Sequence, residues 1–114
     1  MQTVNRAAII VRPKQPFLDW INALLGKDEK PLTLERLRHD QTVYLVREYE
    51  TPRQQETVLR ESYPGIFEEQ LSGWYRYEEG WPKKRDLRIF REWFDIEMHC
   101  MVVDLSDKYL EKEG

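Results

Sequence analysis

The stretch from Glu97 to Asp104 is the place in this sequence where a nucleophile, a base and carboxylates lie close together. It contains Glu97, His99, Cys100 and Asp104. An imidazole beside a thiol is the arrangement that activates a cysteine for covalent catalysis. Adjacent residues on a strand point to opposite faces, however, so His99 cannot activate Cys100 directly. Alternation places Cys100 among apolar side chains, and the sequence therefore predicts a buried, inert cysteine.

A metal site is not predicted from the histidines. His99 shares a strand face with Glu97, but His39 is the only other imidazole and lies far away in the sequence. No pair with the tight spacing of metal ligands, such as His-x-x-x-His or Cys-x-x-Cys, is present. We therefore interpret His99 as a structural or interface histidine. In an interface, its titration near an unperturbed pKa of about 6.5 would modulate association.

The sequence offers no positive indication of an enzyme. It has no glycine-rich phosphate loop, nucleophile elbow, dinucleotide fingerprint or calcium loop, and only five glycines from which to build one. Glutamates are frequent in the middle of the chain, but no two of them are marked as an acid and base pair. We predict no cofactor, no metal and no catalytic residue.

A basic segment over residues 83–91 is the closest approach to a nucleic-acid footprint. Its cations are Lys83, Lys84, Arg85, Arg88 and Arg91, and tyrosine and tryptophan residues precede them. Four carboxylates dilute the segment, at Glu78, Glu79, Asp86 and Glu92. The whole chain has a formal net charge of -3 and a pI near 5.5. A solvated helix face is favoured over nucleic-acid binding, since phosphate neutralisation needs clustered positive charge.

Length and composition predict one folded domain that spans residues 1–114. The chain is 40% hydrophobic and 12% aromatic, enough to bury a core of its own. Its single cysteine cannot form an internal disulfide, and no signal peptide pattern or long apolar stretch is visible. We therefore expect a cytoplasmic protein without a membrane segment.

The elements that must position these residues follow from hydrophobic periodicity and capping signals. Strands are predicted at Ala7–Val11, Thr42–Val46 and Ile96–Leu105, the first buried on both faces and therefore central. Helices are predicted at Pro16–Leu25, briefly after Thr33, from Thr51 to a break at Pro64, at Gly65–Trp74 and at Leu87–Phe94. The segment from Tyr75 to Pro82 is predicted as a loop, and residues 106–114 as either a terminal turn or a frayed tail.

This order, β-α-(α)-β-α-α-α-β, predicts an α+β fold with a small, mainly antiparallel three-stranded sheet and helices packed on one face. The first and third strands carry apolar residues on both faces. Helices on one side would cover only half of them. The uncovered face is expected to need a partner, a further helix or a ligand.

Two segments that contain tryptophan, Arg12–Trp20 and Phe90–His99, resemble those of a group of small uncharacterised bacterial proteins. The resemblance spans most of the chain. It implies a bacterial, cytoplasmic protein and carries over no activity, ligand or catalytic residue.

The leading functional hypothesis is a non-enzymatic domain that forms a homo-oligomer. Its candidate interface residues are Trp93, His99, Met101 and Val103. The alternative is a small-molecule binding or enzymatic pocket between the open sheet face and the loop from Tyr75 to Pro82, with candidate residues Arg12, Trp81, Glu97 and His99. Nucleic-acid binding through residues 83–91 is a third, weaker alternative.

Overall fold

Residues 1–39 and 41–113, which the computed structural model describes, form five strands and four α-helices. A short 3₁₀ helix covers Glu78–Gly80 within the predicted loop. The strands and α-helices are β1 (Gln2–Val4), β2 (Ala7–Pro13), α1 (Gln15–Leu25), α2 (Leu34–Leu37), β3 (Val43–Val46), α3 (Pro52–Trp74), α4 (Leu87–Trp93), β4 (Phe94–His99) and β5 (Val102–Asp104).

The central sheet has the strand order β3-β2-β4, and β2 runs antiparallel to both neighbours. This confirms the predicted α+β class and the three-stranded antiparallel sheet. A second sheet, formed by β1 and β5, extends from it and was not predicted. Both of its strands have only three residues, too few to show a periodic pattern in the sequence.

A β-bulge joins the two sheets. Val4 pairs with Val102, and Ala8 pairs with His99. Three residues separate Val4 from Ala8, whereas two separate His99 from Val102. The extra residue lies between β1 and β2, and it reverses the alternation of side chains along that strand. The partner strand, which consists of β4 and β5, keeps one alternation: its odd-numbered residues are exposed from Asp95 to Leu105.

One face of the central sheet packs against the helices. Buried side chains from all four helices join Ile9 and Val11 in a single core. Its centre is aromatic: the rings of Phe67, Phe90 and Phe94 lie with centroids 4.9 to 5.5 Å apart in tilted and edge-on pairs. Such pairs stabilise the core beyond their buried area.

The predicted break at Pro64 is wrong, because α3 continues through it as one helix from Pro52 to Trp74. Pro64 lies on the exposed side of the helix. The buried stripe passes it without a change of phase, from Val58 and Leu59 to Ile66 and Phe67. Packing on both sides of Pro64 therefore offsets the backbone hydrogen bond that proline removes.

Neither α3, the longest described helix, nor any shorter described helix carries the apolar run that crossing a membrane would need.

The third predicted strand is divided. β4 begins at Phe94, directly after α4, and a bend at Cys100 separates β4 from β5. The prediction of a buried Cys100 is wrong, since the bend takes this residue out of the ladder and leaves it exposed. After β5, residues 105–113 are exposed and form neither helix nor strand, while Gly114 lies outside the described residues.

Candidate functional site

The face of the central sheet opposite the helices forms the first candidate site, which we call the open face. The register defines it: Ile10 pairs with Val43 on β3 and with Glu97 on β4. Since strand residues two apart share a face, its members are Ala8, Ile10 and Arg12 of β2, Val43 and Leu45 of β3, and Asp95, Glu97 and His99 of β4.

The β3 side of the open face is apolar. The side chains of Val43 and Leu45 are 56% and 45% exposed, and Ile10 beside them is half-buried. These residues sit on a pleated strand because β-branched and large apolar side chains suit that surface. With no helix above them, they leave apolar surface in contact with water.

The β4 side of the open face is a network of charges. Nε2 of His99 lies 2.8 Å from Oε2 of Glu97, and Nη1 of Arg12 lies 3.7 Å from Oε1 of the same carboxylate. The hydrogen bond from His99 holds the pKa of the Glu97 carboxyl below its ordinary value, and the charge of Arg12 acts in the same direction. Nearby, Nη2 of Arg38 lies 3.7 Å from Oδ2 of Asp95.

Of the four candidate interface residues, His99 is a member of the open face. Met101 and Val103 are exposed and continue the odd-numbered series that His99 belongs to. Trp93 lies apart from them. Its ring packs on the helix side of the sheet, with its centroid 6.0 Å from that of Phe17 and 5.6 Å from that of Phe67.

The candidate pocket residues are brought together only in part. Arg12, Glu97 and His99 form the network described above, whereas Trp81 packs against the core on the helix side. Nε1 of Trp81 donates a hydrogen bond of 2.7 Å to the carbonyl of Tyr75, and the guanidinium of Arg85 lies over its ring. The aromatic loop therefore closes the core instead of lining the open face.

A groove with a volume of about 470 Å³ lies beside β4, on the helix side of the sheet. We call it the β4 groove. Its apolar lining comes from Leu59 of α3 together with Phe94, Ile96 and Met98 of β4, and its other residues are Lys14, Pro52, Gln55, Glu56, Arg91 and Asp95. These residues come from distant parts of the sequence, so no local pattern could have predicted the groove.

Two cations lie at the rim of the β4 groove. Nζ of Lys14 donates to the backbone carbonyl of Arg91 over 3.2 Å, and Nη2 of Arg91 donates to Oε2 of Glu56 over 2.8 Å. Glu56 also forms an ion pair with Arg60. Hydrogen-bonded polar side chains thus surround an apolar floor, an arrangement that is typical of binding clefts.

The basic segment is largely neutralised within the chain. Lys84 pairs with Asp86 at 3.9 Å, Arg88 with Glu92 at 2.7 Å and Arg91 with Glu56 at 2.8 Å. Arg85 lies between Glu68 and Glu78, at 3.8 and 4.0 Å. Four of its five cations face carboxylates of the same chain.

Among residues 1–39 and 41–113, no group of three histidine, cysteine or carboxylate side chains is placed to hold a metal ion. His99 makes its hydrogen bond with Glu97 and not with the neighbouring thiol. The hydroxyl of Tyr44 donates to Oε1 of Glu69 and accepts from Nε2 of Gln70, and burial raises its pKa. This contact fastens β3 to α3.

A scan against protein-family models found no match for this chain, and searches of curated proteins and of solved structures found none either. The functional argument therefore rests on the two surfaces described above.

Proposed function

We propose that this protein is a non-enzymatic interaction domain that associates with a second copy of itself through its open face. The observation that carries the proposal is the area that the folded chain leaves exposed. Its accessible surface is 8501 Å² for a mass of 13.9 kDa. Folded monomers of this mass expose about 6,700 Å², so this chain exposes about 1,800 Å² more. A standard interface buries about 800 Å² on each partner, well within that excess.

The shape of the chain supports the same proposal. Its radius of gyration is 16.0 Å, with principal extents of 49, 32 and 24 Å. A compact domain of this length has a radius of gyration of about 13 Å. The β1 and β5 sheet lengthens the ribbon that β2 and β4 begin, so Met101 and Val103 extend the exposed surface beyond the central sheet. An elongated, exposed face of this kind has enough area to bind a second copy without a deep pocket.

The open face also suits an identical partner. Around a two-fold axis the same residues meet from both sides, so the surface must complement itself. Here apolar Val43 and Leu45 lie on one side, while Arg12 and Arg38 lie near Asp95 and Glu97 on the other. Both signs of charge are therefore present on one face. A two-fold axis that lies in the plane of the face and crosses the strands would bring the cations of one copy near the carboxylates of the other.

A cytoplasmic setting belongs to the same proposal. Its support is the single cysteine of the chain, Cys100, which is exposed and has no internal partner for a disulfide. A reducing compartment keeps such a thiol free. The resemblance of the two tryptophan-containing segments to those of small bacterial proteins is the support for a bacterial origin.

The proposal is tested by size-exclusion chromatography with multi-angle light scattering over a concentration series at neutral pH. We expect a mass of twice the 13.9 kDa of one chain, with dissociation at the lowest concentrations. A mass equal to one chain at every concentration up to the solubility limit contradicts the proposal. In that case, a different molecule would have to bind the open face.

A further inference from the structure

The antiparallel pair of β1 and β5, which we call the terminal ribbon, has no core of its own. No described residue of these two strands is buried, and neither strand contributes a side chain to the hydrophobic core. Two strands by themselves are only marginally stable in water, because they bury little apolar surface. The three residue pairs of the terminal ribbon therefore need support from a further surface.

One side of the terminal ribbon is apolar. Met101 and Val103 are 66% and 46% exposed, and Leu105, directly after β5, is 74% exposed. They continue the exposed odd-numbered series of β4, so alternation places them on the side of the open face. On the opposite side of the terminal ribbon, Val4 and Val102 are half-buried. The exposed apolar surface is thus confined to the side that faces the same way as the open face.

A second apolar patch lies on β3, and we call it the β3 patch. It consists of Val43 and Leu45, which are 56% and 45% exposed. β3 pairs with one edge of β2, whereas β4, which leads into β5, pairs with the other edge. The β3 patch and the apolar side of the terminal ribbon therefore lie at opposite edges of one continuous surface.

Two patches that are separated in this way suit a two-fold dimer. If the terminal ribbon of one copy packs on the β3 patch of the other, the two-fold axis repeats this contact in the reverse direction. A contact between the two ribbons would leave both β3 patches in water, and a contact between the two β3 patches would leave both ribbons in water. Only the reciprocal contact covers all of this apolar surface in one symmetric interface.

We propose that the terminal ribbon is an arm that packs on the β3 patch of a second copy, with Val103 near Leu45. The inference rests on the proposed self-association and names the contact that forms it. It needs no charge across the interface, because Asp95 and Glu97 are already paired within their own chain.

The exposed area suits a contact that occurs twice. The chain exposes about 1,800 Å² more than a compact monomer of its mass. A standard interface buries about 800 Å² on each partner. Each copy contributes both its terminal ribbon and its β3 patch, so the two contacts together draw on surface at both edges of the sheets.

The test replaces the two patches by opposite charges in the full chain. Val103→Lys and Leu45→Glu are each expected to weaken the dimer by at least tenfold, because a charge then loses its water against an apolar surface. A chain with both substitutions is expected to form a dimer at least tenfold tighter than either single variant, since the opposite charges meet. Light scattering across a dilution series measures the three dissociation constants.

The matched control combines Val103→Lys with Leu24→Glu. This chain has the same net charge as the first double variant, but Leu24 is an exposed residue of α1, away from the open face. No recovery is expected in the control. Circular dichroism verifies that each variant is folded. Equal dissociation of the two folded double variants overturns the proposed contact.

Hydrogen exchange of the native chain provides a measurement that involves no substitution. Backbone amides of β1 and β5 are expected to exchange at least tenfold more slowly above the dissociation constant than below it, because association stabilises the terminal ribbon. The last turn of α1, residues 22–25, opens locally and should exchange equally at both concentrations. Unchanged exchange of β1 and β5 on association would exclude the terminal ribbon as the arm.

The outcomes for the two proposals separate. If the chain dimerises but shows neither the recovery nor the slower exchange, the arm is overturned and self-association stands. If the chain is monomeric at every concentration, self-association is overturned and the arm with it.

Discussion

His99 and Glu97 are joined by a contact of 2.8 Å between Nε2 and Oε2, and both side chains project from β4 onto the open face. Arg12 approaches the same carboxylate from β2. Two groups able to carry positive charge thus lie around one glutamate. The contact places the titratable groups of this face within the surface proposed for self-association.

The pKa of the Glu97 carboxyl is expected to lie below its ordinary value of about 4.3 and to rise in His99→Gln. Since the folded-state pKa is lowered, the stabilisation is fully present above the ordinary value and is lost as the pH falls through the lowered one. An NMR titration of side-chain carboxyl carbons measures both values. Glu61, whose pKa is lowered by Arg47, is the internal control and should not move. An unchanged Glu97 pKa in the variant would contradict the role of His99.

Leu45→Lys is expected to weaken the dimer by at least tenfold, because a lysine at this position must lose its water on association. Leu45 is exposed in the single chain, so folding should tolerate the change. The matched control is Leu24→Lys on α1, an exposed leucine away from the open face. Light scattering across a dilution series measures both variants. Identical dissociation of the two would exclude the open face as the interface.

Phe67→Ala is expected to lower the free energy of unfolding by about 3 to 5 kcal/mol, the usual cost of emptying a buried phenylalanine site. The Phe67 side chain is fully buried, and its ring contacts those of Phe90, Trp93 and Phe94. Urea unfolding followed by tryptophan fluorescence provides the measurement. Leu110→Ala, at an exposed position, should change stability by less than about 0.5 kcal/mol. A small effect of Phe67→Ala would mean that this aromatic centre is loosely packed.

Thr51→Ala is expected to cost about 1 kcal/mol, because it removes the N-cap of α3. The Thr51 hydroxyl accepts from the backbone N–H of Gln54 over 3.1 Å, and the Gln54 side chain accepts from the Thr51 N–H in return. Thr57→Ala is the control, since the Thr57 hydroxyl only bonds a carbonyl within the same helix. Equal effects of the two substitutions on the denaturation midpoint would argue against the cap.

Pro64→Ala is expected to raise the free energy of unfolding by about 2 to 3 kcal/mol. Alanine is about 3 kcal/mol better than proline inside a helix, and the greater freedom of the unfolded chain removes up to about 1 kcal/mol of that gain. Pro52→Ala is the control, because proline is tolerated at the first position of a helix. A destabilised Pro64→Ala variant would show that the proline ring itself supports the packing.

Local signals predicted much of the fold. The capping box at Thr51 and Gln54 marked the start of α3, and the β-branched run of β2 marked the central strand. The break at Pro64 was predicted wrongly because its cost is local, whereas the packing that offsets it comes from residues on both sides. The bulge before Ala7 carries no local signal, since it exists only relative to the partner strand.

The candidate site was less accessible to sequence reasoning. Alternation placed Glu97 and His99 together correctly, because both belong to one strand. It misplaced Cys100, where a bend interrupts that strand. The β4 groove joins α3, α4 and β4, and which helix face meets which strand edge is decided only by tertiary packing.

The bulge between β1 and β2 makes the number of residues there more important than their identity. Deleting either Asn5 or Arg6 would restore a continuous two-residue repeat from β1 into β2. Val4 and Thr3 would keep their present sides, because two residues on each strand would then separate the pairs Val4–Val102 and Ala8–His99. A bulge bends and twists the strand that contains it. The deletion would therefore change the angle at which the β1 and β5 sheet leaves the central sheet, so the length of this junction sets the direction of the ribbon.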